Sequence, residues 1–246
     1  KGATVANQTL TFGNTTVTDA NYQDALLVAT TANNGKLTAT GATIAAGTTG
    51  DLTVAISTAT AGSLADTLAV SQTSKAAAAN LLDKDLGSLN VAVTGAVYDY
   101  AKATLASTSL ALGNVRPGAA DTLSVANEVI TSSTYQDGLL VAATSGNGNL
   151  ALTNPAKIAA GLTGNVGVKA NLAGSLDATV ALTLTSDANG VSGLTNLGLT
   201  GQSFAVTGAA YDYAVSAVTN APLAFGNVRK GATVANQTLT FGNTTV

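Results

Sequence analysis

The first 17 residues, KGATVANQTLTFGNTTV, return letter for letter as residues 230–246, a shift of 229 positions (230 minus 1). A looser copy lies between them. Thr9-Leu10-Thr11-Phe12 answers to Thr122-Leu123-Ser124-Val125, and Ala111-Leu112-Gly113-Asn114-Val115-Arg116 answers to Ala224-Phe225-Gly226-Asn227-Val228-Arg229. Self-similarity at a fixed period is the mark of a repeat array, in which each unit is one packing module and neighbours stack. The expectation is a piece of a tandem array cut at an arbitrary phase, and an opening Lys rather than Met fits such a fragment.

Apolar residues mostly alternate along the chain. Leu10/Phe12, Leu52/Val54/Ile56, Leu68/Val70 and Leu89/Val91/Val93 each place side chains two apart, as do Leu123/Val125, Val166/Val168, Val180/Leu182/Leu184 and Phe204/Val206. A period of two is that of a half-buried antiparallel strand. Asn33-Asn34-Gly35, Ala46-Gly47-Thr48-Thr49-Gly50 and Leu86-Gly87-Ser88 punctuate these runs as turns. Short strands at such spacing predict tandem immunoglobulin-like antiparallel β-sandwiches, an all-β fold, with units of about 115 residues. Lys75 to Leu82 (KAAAANLL) is the local helical candidate, expected as a single turn or a loop insertion.

Alignment of the halves sets the units. Tyr22-Gln23-Asp24 matches Tyr135-Gln136-Asp137, and Val93-Thr94-Gly95-Ala96-Val97-Tyr98-Asp99-Tyr100-Ala101 matches Val206-Thr207-Gly208-Ala209-Ala210-Tyr211-Asp212-Tyr213-Ala214. Residues 102–214 form one complete unit on this basis. Residues 1–101 form a unit without its opening strand, and residues 215–246 hold the opening strands of the next.

The cues recur in a fixed order: Phe225-Gly226-Asn227-Val228, a Leu-Thr-x-x-Asn element, Ala-Ala-Gly-x-x-Gly, and a closing Val-Thr-Gly-Ala. This order resembles Hydin-like immunoglobulin-like repeats, which also occur in bacterial surface proteins of the choice-of-anchor kind, and it covers both units. The resemblance implies a sandwich of about seven strands used as a spacer or assembly module. The doubled Tyr-Asp-Tyr-Ala and only three Pro depart from that pattern.

Composition narrows the chemistry. Charged residues make up 9%, the net charge is −3, and no Lys/Arg cluster exists, which argues against nucleic acid. The chain has no Cys, so neither a disulfide framework nor a thiolate metal site can form. His is absent as well, and the single Glu, Glu128, faces Thr15 in the first half, so no catalysis and no cofactor are expected. No apolar run reaches the length of a membrane span. Few charges among many Thr, Ala, Gly and Asn resemble exported surface arrays, so an extracellular location, on a bacterial surface or secreted, is expected.

Tyr98-Asp99-Tyr100 and Tyr211-Asp212-Tyr213 are the most pointed motifs. In an extended strand the two rings face one way and the carboxylate the other. Either both rings bury at the sandwich base, or the motif forms the joint between units, which is the preferred assignment. Calcium on Asp99 and Asp212 is a further alternative, without the DxDxDG loop that would single it out.

The missing opening strand of the first unit has one sequence match, residues 221–229 (APLAFGNVR). Leu223, Phe225 and Val228 should therefore complete a neighbouring unit, through continuity of the chain or by donation between subunits. The expected partners are copies of the chain, end to end, as in a fibre, stalk, sheath or giant surface protein with a 229-residue repeat. The alternative is an adhesin in which loops 31–35 and 144–148 bind a glycan or protein.

Overall fold

The computed structural model describes residues 2–244; the outermost residues of the two identical stretches, Lys1, Thr245 and Val246, lie outside the described residues. In the first unit the strands are β1 (Gln8–Gly13), β2 (Ala25–Thr31), β3 (Leu37–Thr40), β4 (Ala42–Ile44) and β5 (Thr49–Ile56). They continue as β6 (Gly62–Ser63), β7 (Asp66–Lys75), β8 (Lys84–Val93) and β9 (Ala96–Val97). The second unit opens with β10 (Ala103–Leu105) and β11 (Ser109–Val115), followed by β12 (Ala120–Asn127), β13 (Gly138–Thr144), β14 (Leu150–Thr153) and β15 (Thr163–Ala170). It ends with β16 (Gly174–Ser175), β17 (Ala178–Asp187), β18 (Leu197–Gly198) and β19 (Gln202–Ala210). Two tail strands follow, β20 (Ser216–Val218) and β21 (Phe241–Asn243).

The chain is all-β. Its described helical content is two single 3-10 turns, Ala20–Tyr22 and Ser133–Tyr135, at the same place in each unit. No described helix is long and apolar enough to cross a membrane. The KAAAANLL stretch takes the loop form. Asp83 accepts from Lys75 Nζ at 2.5 Å and from the Ala76 amide, and Asn80 sits at φ 71, so the chain turns there instead of coiling.

The second unit packs a sheet ordered β10-β12-β15-β14 against one ordered β11-β19-β17-β13. This is the immunoglobulin arrangement. Val125, Val166 and Val168 from the first sheet meet Val180, Leu182, Phe204 and Val206 from the second in one buried cluster. Alternation puts these residues inside and leaves Ser203 and its like in solvent. The opening strand serves both sheets. Its first part, β10, pairs antiparallel with β12, and its second part, β11, crosses over and pairs with β19. That last pairing is parallel, within a sandwich whose other named strand pairings are antiparallel. Alternation of side chains reports the faces of a strand and not its direction.

The first unit has the same plan minus that strand. Its sheets run β1-β5-β3 and β4-β2-β7-β8, around a core of Val28, Leu52, Leu68 and Val70. Both β1 and β8 are therefore edges. Leu123, Val125, Phe204 and Val206 are buried, whereas their counterparts Leu10, Phe12, Val91 and Val93 are half-buried. Leu89 corrects the sequence reading further. It was expected inside, and it does lie opposite buried Val70, yet it is 47% exposed because no strand covers the β8 edge.

The two tail strands form a two-stranded antiparallel sheet of their own. β20 pairs with β21 in the register Val218↔Phe241, which repeats Leu105↔Val125 of β10 and β12.

Candidate inter-unit joint

The link from first unit to second is the Tyr98-Asp99-Tyr100 motif, and it is held mainly by main chain. The Asp99 amide donates to the Tyr135 carbonyl at 2.8 Å, and the Asp137 amide donates to the Asp99 carbonyl at 3.0 Å. These bonds make Asp99 a parallel bridge to Gln136. The Tyr98 and Tyr135 rings meet edge to face, with centroids 5.6 Å apart and planes at 61°. Such a contact contributes about 0.5–1.5 kcal/mol beyond the area it covers.

Beneath the motif lies a buried polar floor. Asn127 is fully buried and uses its whole amide. Its Nδ2 donates to the Asp137 and Ile158 carbonyls, and its Oδ1 accepts from the Lys102 amide and from Gln136 Nε2. Gln136 reaches on to the Glu128 carbonyl and accepts from the Ile130 amide. The Asp137 carboxylate accepts from Ser186 Oγ at 3.1 Å and Ser192 Oγ at 2.8 Å, and Ser186 Oγ in turn accepts from the Ala101 amide. A buried polar group without partners costs about 1–3 kcal/mol, so a network satisfied at this many positions holds the base of the second unit in one geometry, and the first unit meets it through the Ala101 amide and the Asp99 main chain. At its rim Lys102 Nζ lies 2.8 Å from Glu128, and that ammonium donor holds the Glu128 carboxyl below its ordinary value.

The faces of the motif are the reverse of ring burial. Both rings were candidates for burial, but Asp99 is the buried residue at 2% exposure, Tyr98 is half-buried, and Tyr100 is 43% exposed. Backbone pairing on both sides of Asp99 draws it inward. In the second unit Tyr211 and Tyr213 are 54% and 75% exposed, and Asp212 is exposed too. They are nonetheless ordered by one residue. Arg116 donates from Nη1 to the carbonyls of Tyr211 and Asp212, at 2.8 and 2.6 Å, and its guanidinium stacks over the Tyr213 ring at 4.1 Å.

Leu223, Phe225 and Val228 lie in an exposed segment outside any strand, at 39%, 54% and 58% exposure. Sequence reasoning missed Arg116, Asn127 and Ser186. A signal for the first was available: Arg116 recurs as Arg229 at the same distance after the Tyr-Asp-Tyr motif. Asn127 likewise recurs as Asn14 and Asn243. Asn14 makes the same bonds, with Nδ2 to the Asp24 and Ile44 carbonyls and Oδ1 from Gln23 Nε2.

The two loops weighed for ligand binding hold themselves. Asp66 caps the Asn33 and Asn34 amides, and Asn147 Nδ2 donates to the Ser175 and Asp177 carbonyls.

No protein-family model matches the chain, and no curated protein matches it either. Among solved structures, it is similar to the D00-D0 domain of Intimin at 15% identity and a TM-score of 0.30, over 80% of this chain and 99% of that one. It is similar also to the D0-D1 domain of Intimin at 17% identity and a TM-score of 0.24, over 81% and 90%.

Proposed function

We propose that the chain is a structural repeat of an extracellular fibre, stalk, sheath or giant surface protein, carried on a bacterial surface or secreted. It acts as a spacer whose units stack end to end with a 229-residue repeat. The observation that carries this is the joint itself. Tyr98-Asp99-Tyr100 is not a solvated linker, because its backbone pairs with the next unit and its neighbours share a buried polar floor. A main-chain-paired joint of this kind supports a spacer, since neighbour contacts add to the stability of each unit in a repeat array. The 17-residue identity between residues 1–17 and 230–246 suits an array lengthened by recombination without change to its joints. No catalytic step and no cofactor are assigned to it.

The test is to concatenate one, two, three and four copies of the 229-residue repeat and image them by negative-stain electron microscopy. Contour length should rise by a constant increment per copy, with the bend at each joint unchanged. Particles whose end-to-end length grows only as the square root of copy number would reject the spacer role.

A further inference from the structure

Two concave surfaces of the first unit correspond to surfaces that are covered in the second. One is an apolar groove of about 360 Å³ between the β1 and β8 edges, lined by Val5, Leu10, Val54, Leu68, Val91 and Val93 among others. In the second unit the equivalent edge is closed by β10 and β11, whose Leu105, Leu110 and Leu112 pack on the core. The other is a hollow of about 590 Å³ at the base, lined by Asn14, Tyr22, Gln23, Asp24 and Ser74. Their counterparts Asn127, Tyr135, Gln136, Asp137 and Ser186 form the floor on which Tyr98 and Asp99 sit. Tyr22 is 91% exposed where Tyr135 is half-buried under Tyr98.

We propose that both surfaces receive one continuous segment, residues 211–229 of a second copy of this chain. It rests on the end-to-end reading above and names what fills the first unit. Residues 211–229 (YDYAVSAVTNAPLAFGNVR) repeat residues 98–116 (YDYAKATLASTSLALGNVR), with the Tyr-Asp-Tyr-Ala and Gly-Asn-Val-Arg ends identical. Leu105, Leu110 and Leu112 become Val218, Leu223 and Phe225, so each side chain that fills the second unit's edge has an apolar equivalent. The register follows from β11 on β19, where Leu110 faces Val206 and Ala111 faces Thr207. Leu223 then faces Val93, Ala224 faces Thr94, and Val228 faces Val97. Tyr211 packs on Tyr22, and Asp212 bridges to Gln23. Arg229 arrives over the exposed Tyr100 ring and the carbonyls of Tyr98 and Asp99, as Arg116 does over Tyr213.

Backbone geometry marks the crossing independently. At Gly208 a Cβ would stand 2.5 Å from the Gly113 carbonyl oxygen, because β11 passes against it, and its φ is +147°. Gly95, the equivalent residue, keeps φ +144°, although a Cβ there would meet only the Leu64 side chain. The first unit is already shaped for a strand to pass at that point.

Docking has a local competitor of identical sequence. In each chain β20 is paired with its own β21, Phe241-Gly242-Asn243, and the acceptor offers Phe12-Gly13-Asn14 in its place. Exchange conserves those backbone bonds while covering Leu223, Phe225 and Tyr22. A two-stranded ribbon standing alone is marginal in water, so β21 releases readily.

The chain contains no cysteine, which makes the test direct. Thr94→Cys and Ala224→Cys are prepared as separate variants of the 246-residue chain, mixed, and oxidised. A disulfide-linked heterodimer is expected, and a synthetic peptide of residues 211–229 should suppress it. Adding Phe225→Asp to the Ala224→Cys chain, at a residue exposed in the free tail, should abolish it. Replacing Thr94→Cys by Ser71→Cys, an exposed position on β7 away from this edge, should give only background. With both variants folded by circular dichroism, a yield no higher than the Ser71→Cys background overturns the proposal. So does a disulfide formed only within single molecules of the Thr94→Cys/Ala224→Cys double variant, which would mean that the tail closes its own chain. Neither result touches the angle between the first and second units, so failure here is separable from failure of the spacer reading.

Discussion

The Tyr98 ring stands edge-on to the Tyr135 ring, 5.6 Å between centroids, and this pair joins the last strand of one sandwich to the base of the next. Around it, the amides of Asp99 and Asp137 tie the same two segments through the main chain. Neither ring belongs to the hydrophobic core of its unit, so the spacer reading expects this contact to act on orientation more than on stability.

Replacing Tyr135 by Ala should therefore widen the spread of angles between units while lowering the stability of the second sandwich by about 1 kcal/mol or less. Small-angle scattering together with urea melts reads both quantities. A loss of several kcal/mol with an unchanged scattering profile would make Tyr135 a core residue and not a joint residue.

Val93 and Val206 are the same residue at the same place in the two units, half-buried in one and 1% exposed in the other. Val206→Ala should cost about 1–3 kcal/mol, from lost transfer and a remaining cavity. Val93→Ala, in the open groove, should cost less than half as much. Equal losses in denaturant titrations would mean that the first unit's edge is closed in solution.

Much of this architecture was legible from the chain because a period of two assigns faces. Leu52, Val54, Phe204 and Val206 went inside for that reason. Leu89 did not, since burial at an edge depends on whether a further strand covers it, and residue pattern within the strand carries no such information. That Asp99 is the buried member of its Tyr-Asp-Tyr motif was not legible. Its position follows from backbone bonds to Tyr135 and Asp137, which no alternation of side chains encodes. The parallel crossing of β11 onto β19 was hidden for a similar reason, although Gly208 marks where it passes.

Asn127 should be among the least replaceable polar residues. Asn127→Ala takes a partner from the Lys102 amide and the Asp137 carbonyl, while the Gln136 side chain keeps the Glu128 carbonyl and the Ile158 carbonyl keeps the Leu139 amide. With each unsatisfied group costing about 1–3 kcal/mol, a loss of about 2 kcal/mol or more is expected, and Asn14→Ala should lose less because among the described residues no main-chain amide donates to Asn14 Oδ1 as the Lys102 amide does to Asn127 Oδ1. Thermal melts of the two variants check the order, and a larger loss for Asn14→Ala would refute it.

Acid should weaken the base of the second unit in a defined window. Glu128 is held below its ordinary value of 4.5 first by the hydrogen bond from Lys102 and then by that ammonium's charge. A depressed folded-state pKa stabilises at pH above the unfolded value, and the contribution fades as pH falls from 4.5 through the lower folded value. Because the pair is exposed, the effect is small and salt-sensitive. Glu128→Gln should reduce the acid-induced part of the stability change between pH 7 and pH 3. An unchanged pH profile would show that the ion pair does not form in solution.

The central claim is that consecutive units hold one orientation. Spin labels at Asn90→Cys and Ser203→Cys, exposed positions in the first and second units, report it as a distance distribution in pulsed electron–electron resonance. One narrow peak is predicted, broadening when Tyr135→Ala is added. A broad or multi-peaked distribution in the otherwise unaltered chain would contradict the account.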